Sequence, residues 1–348
     1  MAGDRWVTMG PVSTVPSRPR AALLMAPGLE ALVFESDVRD RLDAVVDRVV
    51  PGAVATPGEL PAAVEVLVTG WGCPRLDAGV LDVLPDLRLV AHAAGTVRPL
   101  VTDALWERGV VVTSAAAANA VPVAEFTFAV VVLALKDAFA VRDRHRAVRG
   151  REAVVDHARM GTRGRTIGVV GASSVGRLVI ERLRTLDVDV LVADPYLDGD
   201  PYLSEIESYG ARRVGLDELL AVSDVVTLHA PLLEATRHMI GAAQLARMSD
   251  GAWLVNTARG GLVDTDALTA EVVSGRLRAV VDTSDPEPLP ADSPLYDHEG
   301  AVLTPHIAGS LGSEVGRMGD LAVTEVERFV AGEPPIHPVV RADLDRIA

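Results

Sequence analysis

Short apolar runs alternate with amphipathic segments along almost the whole chain. Ala21 to Ala26, Val64 to Thr69, Leu87 to His92 and Val110 to Thr113 read as strands. Between them, Asp37 to Val50 carries apolar residues at helical spacing (Val38, Leu42, Val45, Val46, Val49), and Leu76 to Leu84 and the stretch around Ala104 to Glu107 read as helices. The pattern predicts a four-stranded first unit. Ala115 to Ala120 is small and irregular, and a long helix is expected from Pro122 to Leu135, with proline tolerated in its first turn. Arg142 to Arg165 is rich in charge and glycine and reads as surface. A second alternating series then begins with strands at Thr166 to Val170, Val190 to Ala193, Val225 to His229, Ala252 to Asn256, Leu277 to Asp282 and Ala301 to Leu303. Helices are expected at Leu216 to Leu220, Ala243 to Met248, Asp264 to Ser274 (with Gly275 as C-cap) and about Leu311 to Val330. Strand–helix alternation on this scale predicts α/β architecture with parallel sheets.

One turn organises the second series. In Gly171-Ala172-Ser173-Ser174-Val175-Gly176 an apolar run meets two glycines, an amphipathic helix follows (Leu178, Ile180, Leu183, Leu186), and a second apolar run ends in Asp194, 18 residues after Gly176. This is the β-turn-α-β-acid layout of a dinucleotide site, with Ser173 where the middle glycine usually stands. Gly171 permits the tight turn and Gly176 a close helix–strand approach. The helix N-terminus offers backbone N–H groups at Ser174 and Val175 to a pyrophosphate. A carboxylate at Asp194 can accept ribose hydroxyls and would repel a 2′-phosphate. The serine hydroxyl either takes on a phosphate contact or shifts the turn.

Composition narrows the partners. The chain has 348 residues and net charge −15, from 48 acids against 33 bases. A nucleic-acid backbone needs a basic surplus, so nucleic acid is not an expected partner. The single cysteine, Cys73, allows no intrachain disulfide, and the first 20 residues lack the apolar segment of a secretory signal, so a cytoplasmic location is expected. No uninterrupted apolar stretch reaches about 18 residues, and no membrane association is expected.

Ligands of open α/β sheets bind outside the carboxyl ends of the strands. Those ends here carry Gly171, Asp194-Pro195, His229-Ala230-Pro231, Asn256-Thr257-Ala258-Arg259, Asp282 and His306. These blocks carry a resemblance. Leu254 to Asp264, Asp282 through Pro286-Glu287-Pro288-Leu289, Thr304-Pro305-His306-Ile307-Ala308-Gly309, Ser223 to Val226 with His229 to Leu232 and Thr236-Arg237, and Ala118 through Glu125 together resemble the D-isomer-specific 2-hydroxyacid dehydrogenases, over residues of about 60 to 330. That family includes phosphoglycerate, glyoxylate/hydroxypyruvate and formate dehydrogenases.

The resemblance implies two Rossmann-like parallel-sheet domains. An NAD-binding domain (119–306) would be inserted into a discontinuous, flavodoxin-like substrate domain (21–118 plus 307–348), with residues 1–20 as a flexible extension. It implies NAD as cofactor, a small 2-hydroxy or 2-oxo acid as substrate, no metal, and a homodimer through the segment around 119–160. Arg259 would bind the substrate carboxylate and polarise its 2-oxo group. His306 would exchange the proton, oriented by Glu287, whose carboxylate keeps the acid form available. Asp282 would accept from the nicotinamide carboxamide, with His229-Ala230-Pro231, Thr236, Thr257, Ala258 and Gly309 lining the cofactor. Gly95-Thr96-Val97 would offer backbone N–H groups to the substrate. The loop departs from the family at Arg98-Pro99-Leu100, and Arg98 is expected either to read a second anionic group or to pair with a nearby acid. Trp71 is expected to line the pocket wall or only to pack. A non-enzymatic NAD-sensing protein, similar to the co-repressors of this superfamily, and a phosphoglycerate dehydrogenase remain alternatives on residues alone.

Overall fold

The computed structural model describes residues 18–151, 160–197 and 202–344. Most of the 1–20 extension lies outside the described residues, and β1 begins at its last residue, Arg20. Contacts group the chain into two compact units. One comprises the residues up to Ala93 with Pro99–Thr113 and Gly319–Pro338; the other comprises Ala94–Arg98, Ser114–Met318 and Val339 onward.

The first sheet has five strands in the order β2-β1-β3-β4-β5. They are β1 (Arg20–Leu24), β2 (Asp47–Arg48), β3 (Val66–Thr69), β4 (Leu89–His92) and β5 (Val111–Ser114). This is the flavodoxin-like order. The expected four strands become five because the helix read over Asp37 to Val50 ends at Val45, where Val46 turns extended. Asp47–Arg48 then pairs in parallel with Arg20 and Ala21. A two-residue polar edge strand has no apolar period to betray it. Gly319–Pro338 is tied to this unit by Arg41, which donates to Glu327 at 2.9 Å. Gly319 itself permits close packing, because a Cβ there would lie 1.9 Å from the Val33 carbonyl oxygen.

The second sheet has seven strands in the order β12-β11-β10-β9-β6-β7-β8. They are β6 (Arg165–Val170), β7 (Val188–Ala193), β8 (Arg212–Arg213), β9 (Val225–Leu228), β10 (Trp253–Asn256), β11 (Arg278–Val281) and β12 (Ala301–Leu303). All pairings are parallel. Strand order reverses between β6 and β9, so the ligand crevice of such a sheet falls at their carboxyl ends. Alternate residues feed two cores. Val170, Val226, Leu254 and Val281 pack with Leu219, Leu245, Leu262 and Leu268, while Val169, Val225, Val255 and Val280 pack with Val131, Val179, Ile180 and Leu183. Burial on both faces explains why these strands read as unbroken apolar runs.

The long helix is Ala116–Leu135, not Pro122–Leu135, so Pro122 stands inside it. The alanines ahead of the proline have the highest helix propensity and carry the helix back through the stretch read as irregular. The proline removes one donor to the Ala118 carbonyl, and its ring is buried. This helix is long and apolar enough to cross a membrane, and it places Ala124, Val130, Val131, Ala134 and Leu135 in the core of the larger unit. A further helix, Ala138–Val148, runs into the Arg142 to Arg165 segment read only as surface, of which 152–159 lie outside the described residues. The last helix runs Gly316–Val330, preceded by a single 3-10 turn at Gly312–Glu314.

Candidate active site

The glycine turn is built from a backbone that only glycine tolerates. Gly171 has φ +94°, and a Cβ there would lie 2.6 Å from the Ala230 amide nitrogen. A Cβ on Gly176 would lie 2.1 Å from the Gly171 carbonyl oxygen. The first glycine therefore shapes the turn and the second lets the Ser174–Leu183 helix seat against it. Ser173 is the N-cap of that helix, its hydroxyl accepting from the Gly176 amide at 3.3 Å. The serine thus stabilises the helix start that the missing glycine would leave bare. Ser174 and Val175 occupy the first two helical positions, whose N–H groups have no carbonyl one turn back. These are the donors a pyrophosphate needs. We expect Gly176→Ala to cost at least about 1–3 kcal/mol through backbone overlap. A thermal melt unchanged from the parent protein would show that the approach is looser than this geometry.

Asp194 follows β7 with both oxygens engaged. One accepts from the Ala172 amide at 2.7 Å and the other from the Tyr196 amide at 2.8 Å. A carboxylate has about four acceptor sites, so two bonds fix its position and leave capacity for ribose hydroxyls. Pro195 beside it is exposed. His229 is buried, its Nε2 3.0 Å from the Thr227 hydroxyl and its Nδ1 without a partner. Burial pushes its pKa down to about 3, which keeps the ring neutral. An orphaned buried nitrogen beside the glycine turn, together with free helix N–H groups and a fixed acid, fits a dinucleotide. Ala230 is buried at the same strand end. Thr236 serves its own turn: its hydroxyl donates to the Pro231 carbonyl and accepts from the Leu233 amide. Thr257 is likewise occupied, at 2.8 Å from the Thr127 hydroxyl.

Arg259 ends the segment after β10. The Asn256 side chain accepts from the Ala258 amide and donates to the Arg259 carbonyl, which fixes the backbone there. The guanidinium donates to the Ala258 carbonyl at 2.7 Å. Burial pushes its pKa down, and the charge of Glu287 opposes that shift. The first glycine after Arg259 has a concrete use: a Cβ on Gly260 would lie 2.0 Å from the Ser284 carbonyl group. The chain can therefore cross Gly260 directly, and Glu287 follows close enough for its charge to act on Arg259.

Glu287 also reaches the imidazole. Its carboxylate lies 2.8 Å from His306 Nδ1. His306 has a left-handed backbone, φ +56°, held by its amide donating to the Asp282 carbonyl at 2.9 Å. The Asp282 side chain, 3% exposed, organises the same loop, accepting from the Thr304 hydroxyl and from the Ile307 and Ala308 amides. A contact from a nicotinamide carboxamide would be a fourth bond to this carboxylate, within its capacity. Thr304 stands in the sequence only as a neighbour of His306 in its block, with no role of its own.

In the Ala94–Arg98 loop, Gly95 and Thr96 are half-buried, but the Val97 side chain is core at 1% exposure, so only its backbone can serve a ligand. Arg98 donates to the Leu344 carbonyl at 2.9 Å. His92 bonds the Thr69 hydroxyl and His298 accepts from the Gly300 amide, both structural uses. Among the described residues no cluster of His, Cys, Asp or Glu could hold a metal ion. Trp71 is 39% exposed.

A reversing parallel sheet with a glycine turn, a fixed acid, and a half-buried arginine that feels the charge of the carboxylate bonded to a histidine defines a dinucleotide-dependent α/β protein. Residues 130–308 match the family model described as D-isomer specific 2-hydroxyacid dehydrogenase, NAD binding domain. The chain is 35% identical over 256 residues to an (S)-sulfolactate dehydrogenase of Chromohalobacter salexigens, covering 73% of this chain and 81% of that one. It is 32% identical over 262 residues to a D-3-phosphoglycerate dehydrogenase of Archaeoglobus fulgidus, covering 75% of this chain but only 48%, about half, of that protein. The crystal structure of apo D-mandelate dehydrogenase from Rhodotorula graminis superposes with a TM-score of 0.79 at 25% identity, over 93% of this chain and 98% of that one. The chain belongs to the D-isomer-specific 2-hydroxyacid dehydrogenase family and carries its NAD-binding domain.

Proposed function

We propose that the protein catalyses reversible NAD(H)-dependent interconversion of a small 2-oxo acid and its D-2-hydroxy acid. The observation that carries this reading is the Glu287 carboxylate, which lies on His306 Nδ1 and whose charge acts on half-buried Arg259. NAD(H), when bound, supplies or accepts the hydride at C2 of the acid. Arg259 pairs its planar donors with the substrate carboxylate and draws electron density from the 2-oxo oxygen. His306 turns Nδ1 to Glu287, which leaves Nε2 free to give its proton to that oxygen; in the reverse direction Nε2 takes the proton back. The ring's orientation is the contribution of Glu287. Catalytic roles for Arg259, Glu287 and His306, and the cofactor and substrate contacts assigned above, belong to this proposal, as does the assignment of the larger unit to NAD and the smaller to the substrate domain.

We further propose a cytoplasmic homodimer with no membrane or nucleic-acid partner. The single cysteine and the acidic balance support the compartment and partners. The Ala116–Leu135 helix, which leaves Leu133 41% exposed, supports a pairing surface. A scan of 2-oxo acids, including glyoxylate, hydroxypyruvate, 3-sulfopyruvate and 3-phosphohydroxypyruvate, with NADH and NADPH in parallel tests the reading. At least one acid is expected to oxidise NADH. With the Asp194 carboxylate held by two amides, NADPH is expected to be disfavoured about 100-fold, since like charges brought together cost several kcal/mol. Equal use of NADPH would remove the role given to Asp194.

A further inference from the structure

Asn119 lies in the first turn of the Ala116–Leu135 helix, and the mechanism above gives it no part. Its side-chain Oδ1 accepts from the Ser310 amide at 2.9 Å. A backbone N–H can only donate, so the atom facing it must be the oxygen, and the Nδ2 end must face away. That end lies beside the Ala94–Arg98 loop: a Cβ on Gly95 would lie 3.2 Å from Nδ2. On the other side, a Cβ on Gly309 would lie 3.3 Å from Oδ1. One amide therefore fills the space between two glycines from distant parts of the chain. The helix start is itself tied to the first loop, with the Ala115 amide donating to the Ala94 carbonyl at 3.1 Å and the Asn119 amide to the Ala115 carbonyl at 3.0 Å.

We propose that Asn119 is a positioning residue that holds the Gly95 loop and the segment just after His306 in register. Neither loop has a regular element to fix it. The His306 segment is anchored on one side by Asp282, through the Ile307 and Ala308 amides, and Asn119 supplies the anchor two residues further on, at Ser310. Glycine at 95 and 309 gives the amide room. Resting on the proposed reaction, this role sets the distance between the groups that hold the substrate carboxylate and the nitrogen that moves the proton.

Three measurements test it. In Asn119→Ala, amide hydrogen exchange within 94–98 and 307–311 should accelerate by about tenfold or more, with the β6 and β7 strands unchanged. Its kcat/KM for the best 2-oxo acid should fall by about 10- to 100-fold through a lower kcat and a higher KM, because misplacement of reacting groups by about 1 Å can cost that much. Gly309→Ala alone should impair the enzyme by crowding Oδ1, yet add little on top of Asn119→Ala, where the crowded group is gone. Asn119→Asp keeps the acceptor and should restore protection at 307–311, a comparison that holds if the alanine variant folds poorly. Unchanged exchange in both loops, or simple additivity of the two substitutions, overturns the proposal. If the parent protein turns over no acid, the functional reading fails on its own, and the exchange data still decide the role of Asn119.

Discussion

His306→Ala lowers turnover by about 10²–10⁴-fold while leaving NADH affinity within about twofold, the scale on which a positioned general acid acts. The structure makes the result specific. The imidazole is half exposed, so its loss leaves no buried cavity, and its Nδ1 faces Glu287 at 2.8 Å. Glu287→Gln is the companion: it keeps the shape but removes the charge that orients the ring. It should lose less turnover than His306→Ala, and the double variant should be scarcely worse than His306→Ala alone, because the two groups act as one unit. Steady-state kinetics with the best acid, with NADH binding read by fluorescence transfer from tryptophan, decides it. Turnover in His306→Ala equal to the parent would remove this residue from the reaction.

Arg259→Ala should be of similar severity but of a different kind. Truncating one member of a buried, hydrogen-bonded charge pair costs about 2–5 kcal/mol, roughly 30- to several-thousand-fold in kcat/KM. A ligand carboxylate would meet Arg259 in a partly desolvated setting, as the downward shift of its pKa by burial indicates. The loss should appear in KM as well as kcat, since the same fork binds and polarises. Arg259→Lys keeps the charge and loses the planar pair of donors, so it should recover only part of the activity. An unchanged KM for the acid in Arg259→Ala would place the substrate carboxylate elsewhere.

Much of this architecture is legible in the chain because the strands are buried on both faces. Val225-Val226-Thr227-Leu228 and Leu254-Val255 announce themselves as apolar runs, and the polar residue that follows each, His229 and Asn256, marks the ligand side of the sheet. The two shortest edge strands escape notice. Asp47–Arg48 and Arg212–Arg213 are polar pairs, placed by pairing to β1 and β7 rather than by any pattern of their own. Only the part of the long helix ahead of Pro122 is hidden, and by a local rule, since proline marks helix starts more often than interiors.

In the site, residue chemistry and resemblance together pick out Arg259, Glu287 and His306, but not why they meet. That depends on Gly260 letting the 284–285 backbone cross it, and on a left-handed backbone at His306 held by Asp282. Likewise Ser173 looks like damage to a glycine motif until its hydroxyl is seen capping the helix. Asn119 and Thr304 act through bonds to residues far along the chain, and no local pattern announces such bonds.

The central claim is that a hydride passes from the nicotinamide to C2 of a 2-oxo acid under the control of Arg259 and His306. The most direct measurement supplies NADH carrying deuterium at its transferable position together with the best acid of the panel. The account predicts deuterium at C2 of a D-2-hydroxy acid, formed in step with NADH loss and abolished in His306→Ala. Tight NADH binding with no labelled product from any acid would contradict it and identify the protein as a sensor of the cofactor.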